Sequence, residues 1–262
     1  MKIKIEKKIF DAFFRQFITK GKLRRAATES SQIEFAYIEA KGTQIKVSSR
    51  KRNQKIMIRG ILEGEVLEEG EFQITDLDSF LGELKGLSGK YYEITFDKNI
   101  TVVSGGKKYS FPFNLVPADA ALLIKLKAWD STHYKDKGII KFDVKGTAYP
   151  FTPWFKLKDS SQLTSIPDDL FNRTKIDMVE VETTNEIIFS ADNATDKRQY
   201  YNDEIDDIEI LNATKMVLKD DIFPLLKSLS GEAEFQYYVT TKGSNNIWVE
   251  CNNMEWQITI KP

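Results

Sequence analysis

The sequence predicts an α+β protein of two tandem domains, each with two short helices packed on antiparallel sheet. Its 262 residues leave room for two domains of average size, and a hydrophobic content of 41% is enough for two buried cores. The two domains are predicted to be copies, because residues 76–113 and 219–260 share one layout. A repeat of this length indicates a domain duplication.

The repeat begins with a short amphipathic helix, continues with L-K-x-L-S-G and ends in three strands separated by polar turns. In the first copy one helical face carries Leu77, Phe80, Leu81, Leu84 and Leu87. In the second copy the same face carries Ile222, Leu225, Leu226 and Leu229. Gly89 and Gly231 follow closely, which predicts where each helix ends.

A second repeated segment, predicted as strand, helix and three strands, precedes each copy. In the first half these elements are predicted at residues 1–6, 7–20, 32–42, 43–51 and 54–62. In the second half they are predicted at residues 153–158, 158–174, 177–184, 186–193 and 197–205. Phenylalanines recur at helical spacing in the first helix, and Pro167 is expected to kink or split its counterpart.

The halves are joined by a long connector, in which residues 138–146 are predicted to form a strand. A connector of this length is uncommon unless it has a function. The predicted boundaries are 1–116 for the N-terminal domain, 117–148 for the connector and 149–262 for the C-terminal domain.

Charge is segregated along the chain although the totals nearly cancel, with 38 Lys and Arg against 39 Asp and Glu. Residues 1–25 hold nine bases and two acids, whereas residues 61–78 hold seven acids and no base. This pattern predicts separate positive and negative surfaces.

The motifs of several enzyme classes are missing, so we expect no catalytic activity and no cofactor. There is no phosphate-binding glycine motif, and one histidine with one cysteine cannot form a metal cluster. The acidic pairs Asp206–Asp207 and Glu68–Glu69 could hold Mg²⁺, but their polar, turn-like surroundings favour solvated loops. Without a signal peptide or membrane span, a soluble cytoplasmic protein that is not secreted is expected.

The chain resembles the DNA sliding clamps, both the proliferating-cell-nuclear-antigen type and the clamps of tailed phages. Residues 74–84, ITDLDSFLGEL, are similar to the strand-then-helix segment of the first clamp domain, and residues 149–158, YPFTPWFKLK, are similar to the entry into the second. The resemblance implies a head-to-tail ring, commonly a trimer, in which sheets form the outer wall and helices line the hole.

Within this resemblance, bases on the inner helices are expected to attract phosphates without reading sequence. Lys8, Arg15 and Lys22 are seven residues apart and project from one face of the first helix, opposite the phenylalanines. Lys85 is placed on the second helix, Lys158 and Arg173 around the third, and Lys219 and Lys227 on the fourth. The candidate DNA-binding residues are Lys8, Arg15, Lys20, Lys22, Arg24, Arg25, Lys85, Lys158, Arg173, Lys219 and Lys227. An ordinary solvated helix face remains the alternative.

The resemblance also implies two protein-binding surfaces. Subunits would join through the edge strand led by Lys107 and Lys108 and a second-domain edge ending in Asp203 and Glu204, with complementary charges. The alternative to a subunit contact is that both strands are exposed sheet edges whose charged side chains prevent pairing with other strands. Clients would insert into a groove formed by Val116, Leu122, Leu123, Ile124, Ile260 and Pro262.

The expected partners are double-stranded DNA, a DNA polymerase, an ATP-dependent clamp loader and further copies of the chain, with no membrane. If the protein is phage-encoded, it would act in the host cytoplasm. Two other functions stay open: a monomeric polymerase accessory factor of the same fold that binds DNA through an exposed basic face, and a duplicated β-rich structural or protein-binding protein of a virion. A third open function is that of an enzyme whose catalytic carboxylates the sequence does not single out.

Overall fold

The structure is a computed structural model. It describes residues 1–17, 36–50, 56–74, 77–111, 127–129, 131–165, 178–183, 187–192, 197–201, 207–219 and 229–260. The described residues pack into two compact units, the first ending at Ser131 and the second beginning at Thr132. The domain and connector boundaries predicted above remain predictions.

The first unit contains nine described strands and two helices. In chain order these are β1 (Lys2–Glu6), α1 (Lys7–Phe17), β2 (Ala36–Lys41), β3 (Gln44–Arg50), β4 (Ile56–Leu62), β5 (Glu65–Glu68), β6 (Gly70–Ile74), α2 (Leu77–Leu84), β7 (Tyr91–Phe96), β8 (Ile100–Ser104) and β9 (Lys107–Phe111). Five strands pair in the order β5-β1-β7-β8-β9, and four pair in the order β4-β3-β2-β6.

The second unit begins with three short strands, β10 (His133–Asp136), β11 (Ile139–Val144) and β12 (Thr147–Pro150), which form a sheet of their own. The remaining elements are β13 (Thr152–Leu157), a 3₁₀ helix (Ser160–Ser165), β14 (Met178–Thr183), β15 (Ile187–Asp192), β16 (Lys197–Tyr201), β17 (Ile208–Ile210), β18 (Thr214–Lys219), β19 (Ala233–Val239), β20 (Asn245–Cys251) and β21 (Met254–Ile260). They pair in the orders β17-β13-β19-β20-β21 and β16-β15-β14-β18.

The strand orders of the two units are the same once β1–β9 are matched to β13–β21, which confirms the predicted repeat of the fold. The match extends to single residues, because β1 and β13 each place a lysine between glutamates of both neighbouring strands. These triplets are Glu65–Lys4–Glu93 and Glu209–Lys156–Glu234. In the two five-stranded sheets, residues near these triplets can therefore be compared between the units.

The L-S-G part of the repeated motif docks in the same way in both units. Its leucine is buried, at Leu87 and Leu229. The Ser104 hydroxyl donates a hydrogen bond to the Ser88 carbonyl at 3.0 Å, and the equivalent Cys251 thiol donates to the Ser230 carbonyl at 3.4 Å. In each unit the serine of the motif is therefore attached to the last hairpin.

Gly89 sits where a side chain cannot fit, so Gly89→Ala should be strongly destabilising. Its φ is +140°, and an added Cβ would lie 2.5 Å from the backbone nitrogen of Gly105. We expect a loss of about 3 kcal/mol in the free energy of unfolding, measured by urea denaturation. Gly106→Ala is the matched control: its φ is also positive, but nothing lies within 4 Å, so about 1 kcal/mol is expected. Equal losses in the two variants would contradict the steric argument.

Helix α1 forms because its phenylalanines recur on one face, and the structure buries Phe10, Phe13 and Phe14 there. The helix was predicted to reach residue 20; the described part runs to Phe17. The counterpart predicted at 158–174 begins as a 3₁₀ helix, whose first turn Asp159 caps by accepting the Ser161 N–H at 2.9 Å. Pro167 and the predicted helix after residue 219 lie outside the described residues.

Several strands were not predicted, namely β5, β6, β10, β12, β17 and β18. The assignment of Glu68 to a solvated loop was wrong, because Glu68 ends β5 opposite Lys2. The acidic residues of β5 belong to a strand at the edge of its sheet. One face of such a strand is exposed to water, so charged side chains are tolerated there. All four tryptophans are buried, as expected for core residues.

Candidate nucleic-acid interface

Helix α1 separates an apolar face from a basic one. Phe10 and Phe14 are 1% exposed, whereas Lys8 is exposed and no other described residue forms an ion pair with it. Arg15 lies on the same helix seven residues after Lys8, so the backbone places both on one side of α1. The Arg15 side chain and all of Lys20, Lys22, Arg24 and Arg25 lie outside what the structure describes. Lys8 therefore carries an uncompensated charge that a phosphate could meet.

Lys7, the neighbour of Lys8, has a structural role that the sequence did not indicate. Its Nζ donates a hydrogen bond of 2.6 Å to the Leu87 carbonyl and lies 5.7 Å from the centre of the Tyr92 ring. The Tyr92 hydroxyl donates to the Leu84 carbonyl at 3.1 Å. Burial, with a contribution from the charge of Asp11, raises the pKa of Tyr92 to about 12. These contacts satisfy carbonyls at and after the C-terminus of α2 and attach α1 to it.

Lys85 and Lys158 are both exposed but differ in their partners. Lys85 was predicted on the second helix and lies just after it, in the turn that follows α2, where no described residue pairs with it. Lys158 lies beyond the end of β13 and pairs with Asp207 at 2.7 Å. Both members of this pair are exposed, so the ion pair is weak and a phosphate could replace the carboxylate.

The placement of Lys219 on a helix was wrong, because Lys219 is the last residue of β18 and lies opposite Met178 of β14. In β18 every second residue lies on the same face of the sheet, whereas the prediction assumed the residue spacing of a helix at Lys219. The Lys219 side chain, Arg173 and Lys227 lie outside the described residues. The proposed DNA contacts of these three residues stay predictions.

Two strands lie at sheet edges where a neighbouring subunit could pair. Strand β9, which begins with the exposed Lys107 and Lys108, pairs only with β8 in its five-stranded sheet. Strand β16 pairs only with β15 in its four-stranded sheet. Asp203 and Glu204 follow β16 and lie outside the part of the chain that is described. Within the described strands, each of these edges has no neighbour on its outer side, which is the feature that strand addition requires.

The predicted client groove falls almost entirely outside the described residues. This holds for Val116, Leu122, Leu123, Ile124 and Pro262 and for the side chain of Ile260, whose backbone ends β21. The sequence also did not reveal how residues 127–129 attach to the first unit.

Two cation contacts make this attachment. Lys127 lies 2.9 Å from the Glu71 carboxylate, and the Arg59 guanidinium lies 4.9 Å from the centre of the buried Trp129 ring. The Tyr37 hydroxyl also donates to Glu71, and this hydrogen bond, followed by the one from Lys127, lowers the pKa of Glu71. Residues 127–129 are thus held on the face formed by β2, β4 and β6.

Within the described ranges there is no group of three or more His, Cys, Asp or Glu side chains that could hold a metal ion. Among the helices that the structure describes, none has the length and apolar character needed to cross a membrane.

Comparison with solved structures identifies the fold. The chain superimposes along its whole length on the proliferating cellular nuclear antigen of Entamoeba histolytica, with a TM-score of 0.64, 12% identity and 98% coverage of that protein. The chain has the sliding-clamp fold. The β subunit of DNA polymerase III from Thermotoga maritima also matches over all of this chain, with a TM-score of 0.63 and 10% identity.

A third clamp fold, in the PCNA2–PCNA3 complex of Sulfolobus tokodaii, matches all of this chain and 99% of its own, at a TM-score of 0.60 and 12% identity. The chain spans 65% of the length of the bacterial β subunit and nearly all of the two antigen-type clamps. At the level of sequence, no protein-family model and no curated protein matches it.

Proposed function

We propose that the protein is a DNA sliding clamp, a ring of identical subunits that encircles duplex DNA and tethers a DNA polymerase. The observation that carries the proposal is the identical strand order of the two units within the sliding-clamp fold. A duplicated unit that repeats around an axis can close into a ring, and a ring holds DNA without recognising its sequence. The chain itself performs no chemistry in this role.

Electrostatics supports attraction to DNA in each of the two units. Lys8 and Lys85 are exposed bases without a described counter-charge, and the Lys158–Asp207 pair is weak enough to open. Such contacts bind phosphates loosely and form no hydrogen bonds with the base edges, so the protein can slide along the DNA. Arg15, Lys20, Lys22, Arg24, Arg25, Arg173, Lys219 and Lys227 complete the proposed set.

The ring would close by pairing the β9 edge of one subunit with the β16 edge of the next. Lys107 and Lys108 at the start of β9 would face Asp203 and Glu204 beyond β16, so that opposite charges set the register. We propose three subunits, giving six clamp domains. A client polymerase would dock at the groove of Val116, Leu122, Leu123, Ile124, Ile260 and Pro262. A separate ATP-dependent loader would open the ring, and the host cytoplasm would be the setting for a phage-encoded clamp.

Topological retention on DNA is the decisive test. Linear duplex attached to beads at one end is incubated with the protein, and the free end is then blocked with streptavidin. We expect the protein to survive a wash in about 1 M NaCl, because salt removes phosphate contacts but cannot unlink a closed ring. Restriction cleavage beside the blocked end should then release it.

The same experiment separates the rival functions. A monomeric accessory factor would be washed off by salt with both ends blocked, and its mass by light scattering would equal one chain. A structural or protein-binding module would show no retention at low salt either. Protein that resists salt but stays bound after cleavage would also argue against a ring.

A further inference from the structure

One described base of the proposed DNA-binding set differs from the others in having a counter-charge. The structure describes the side chains of three members of that set, Lys8, Lys85 and Lys158, and all three are exposed. Neither Lys8 nor Lys85 forms an ion pair with any described residue, whereas the Lys158 Nζ lies 2.7 Å from the Asp207 carboxylate. Lys158 is thus the one described member of the set whose charge already has a partner within the chain.

The ion pair between Lys158 and Asp207 is specific to the second unit. The register of the five-stranded sheets matches the lysine and the first glutamate of one triplet with those of the other. Two residues beyond the shared lysine, Lys158 corresponds to Glu6. Two residues before the shared glutamate, Asp207 corresponds to Glu63. Because like charges repel, these two positions of the first unit cannot form an ion pair with each other.

The backbone holds Asp207 next to Lys158. Strand β17 begins at the next residue, Ile208, which lies opposite Leu157 of β13. The Asp207 carbonyl accepts the Lys158 N–H at 3.5 Å. Asp207 also has a φ of +58°, in the left-handed region that aspartate and asparagine tolerate better than most other residues. The carboxylate is therefore presented to the lysine by the pairing of two strands.

Both side chains of this pair remain open to water, so the pair can exchange partners. The Lys158 side chain is 73% exposed and the Asp207 side chain is 59% exposed. An exposed ion pair of this kind shifts an equilibrium by about five-fold at most. A DNA phosphate offers anionic oxygens like those of the carboxylate, and the lysine binds either of them as a point charge. Phosphate and Asp207 would therefore compete for the same ammonium group.

We propose that Asp207 acts as an internal substitute for phosphate, which holds Lys158 between its contacts with DNA and weakens the attraction of the second unit for the duplex. Each phosphate contact of Lys158 then replaces an existing contact, so its net gain in free energy is small. Contacts that exchange at little cost suit a protein that slides. This proposal rests on the proposed clamp function and adds a residue that regulates DNA binding.

Fluorescence anisotropy of a short fluorescein-labelled duplex, titrated with the full chain at low salt, tests the proposal. Asp207→Asn removes the charge and keeps a residue that tolerates a positive φ. We expect it to raise the affinity about five-fold for each copy that contacts the DNA, because Lys158 no longer has to leave a carboxylate. Asp207→Gly, which also tolerates this φ, should give the same gain and guards against a folding defect specific to asparagine.

Two controls separate the ion pair from a general effect of net charge. Glu209→Gln removes the same charge from an exposed residue of β17, two positions along the chain and opposite Lys156. It should raise the affinity by less than about two-fold, because salt screens a charge that is not in direct contact. In a Lys158→Gln background, Asp207→Asn should raise the affinity no more than Glu209→Gln does. This double-mutant cycle measures the coupling between the two side chains.

The possible results distinguish a failure of this proposal from a failure of the clamp function. A gain for Asp207→Asn that only equals the gain for Glu209→Gln, or that persists in full without Lys158, overturns the role of Asp207 and leaves the clamp function standing. A parent protein that does not bind duplex at low salt contradicts the proposed attraction to DNA and overturns the role of Asp207 with it. Retention of the ring on blocked DNA at high salt should be the same for Asp207→Asn and the parent, because linkage does not depend on phosphate contacts.

Discussion

Replacing Ser110 with proline is expected to leave the subunit folded and to weaken subunit association about 100-fold. Proline removes a backbone N–H, and its ring obstructs an approaching strand, at a cost of about 3 kcal/mol where that N–H was to be paired. Every 1.4 kcal/mol corresponds to a factor of about ten in a dissociation constant. The effect follows if β9 forms the contact between subunits.

The geometry of the β8–β9 hairpin explains why Ser110 is the position to change. The turn consists of Gly105 and Gly106, so Ser104 and Lys107 face each other as a hydrogen-bonded pair. Such pairs alternate along an antiparallel ladder, which directs the N–H groups of Lys108 and Ser110 away from β8. Proline at 110 therefore breaks no hydrogen bond with any residue that the structure describes.

Light scattering over a range of protein concentrations measures this effect, with Ser110→Ala as the matched control. Alanine keeps the N–H, so its assembly should equal that of the parent. Thermal melting of both variants checks that the subunit is folded. A proline variant that is folded and still assembles like the parent would exclude β9 as the contact strand and would leave the DNA experiment as the test of the ring itself.

Replacing Phe10 with alanine is expected to lower the free energy of unfolding of the first unit by about 4 kcal/mol. The Phe10 side chain is 1% exposed and connects three elements, with ring centres 4.5 Å from Phe14, 6.4 Å from Phe80 and 5.5 Å from Tyr92. Truncation to alanine removes buried area and leaves a cavity among rings that cannot close it, because α1, α2 and β7 each hold one of them. Small domains are stable by only about 5–15 kcal/mol, so this is a large fraction.

Urea denaturation followed by circular dichroism provides the measurement, and Lys8→Ala is the control on the opposite face of the same helix. Lys8 is exposed and has no described partner, so its replacement should change stability by less than about 0.5 kcal/mol. A small loss for Phe10→Ala, comparable with that of the control, would mean that α1 is not packed on α2 and β7 as described.

Much of the fold could be predicted because local patterns and tertiary contacts agree. The phenylalanine spacing predicted α1, and Phe10, Phe13 and Phe14 are the residues that it buries. The repeated L-S-G motif predicted a duplication, and both copies make the same contact with the last hairpin of their unit. Alternation of apolar and polar residues predicted strands wherever one face is buried.

Strands whose side chains lie mostly in water escaped prediction. Strand β5 consists of Glu65, Val66, Leu67 and Glu68. Both glutamates lie opposite lysines of β1, and only Val66 lies opposite an apolar residue, Ile3. Strand β12 is exposed at every residue. In both cases hydrogen bonding to a neighbouring strand makes the extended conformation stable, and no local signal reports that neighbour.

The candidate sites, like the strands, could be predicted from the sequence only in part. The sequence could place bases on a helix, but it could not tell that Lys7 binds the Leu87 carbonyl beyond α2 while the adjacent Lys8 remains without a described partner. Nor could it show that Asp207 pairs with Lys158, or that Trp248 and Gln236 contact the sheet formed by β10, β11 and β12. Each of these facts concerns two residues that are distant in the chain and adjacent in space.

By itself the sequence determined the duplication, the apolar face of α1 and the segregation of charge, because periodicity and composition are local properties of a chain. The tertiary structure alone decided which lysines have no partner among the described residues and which described strands lie at sheet edges. Those properties depend on strand order and register, which are set by the packing of the whole unit and leave no signature within a single segment.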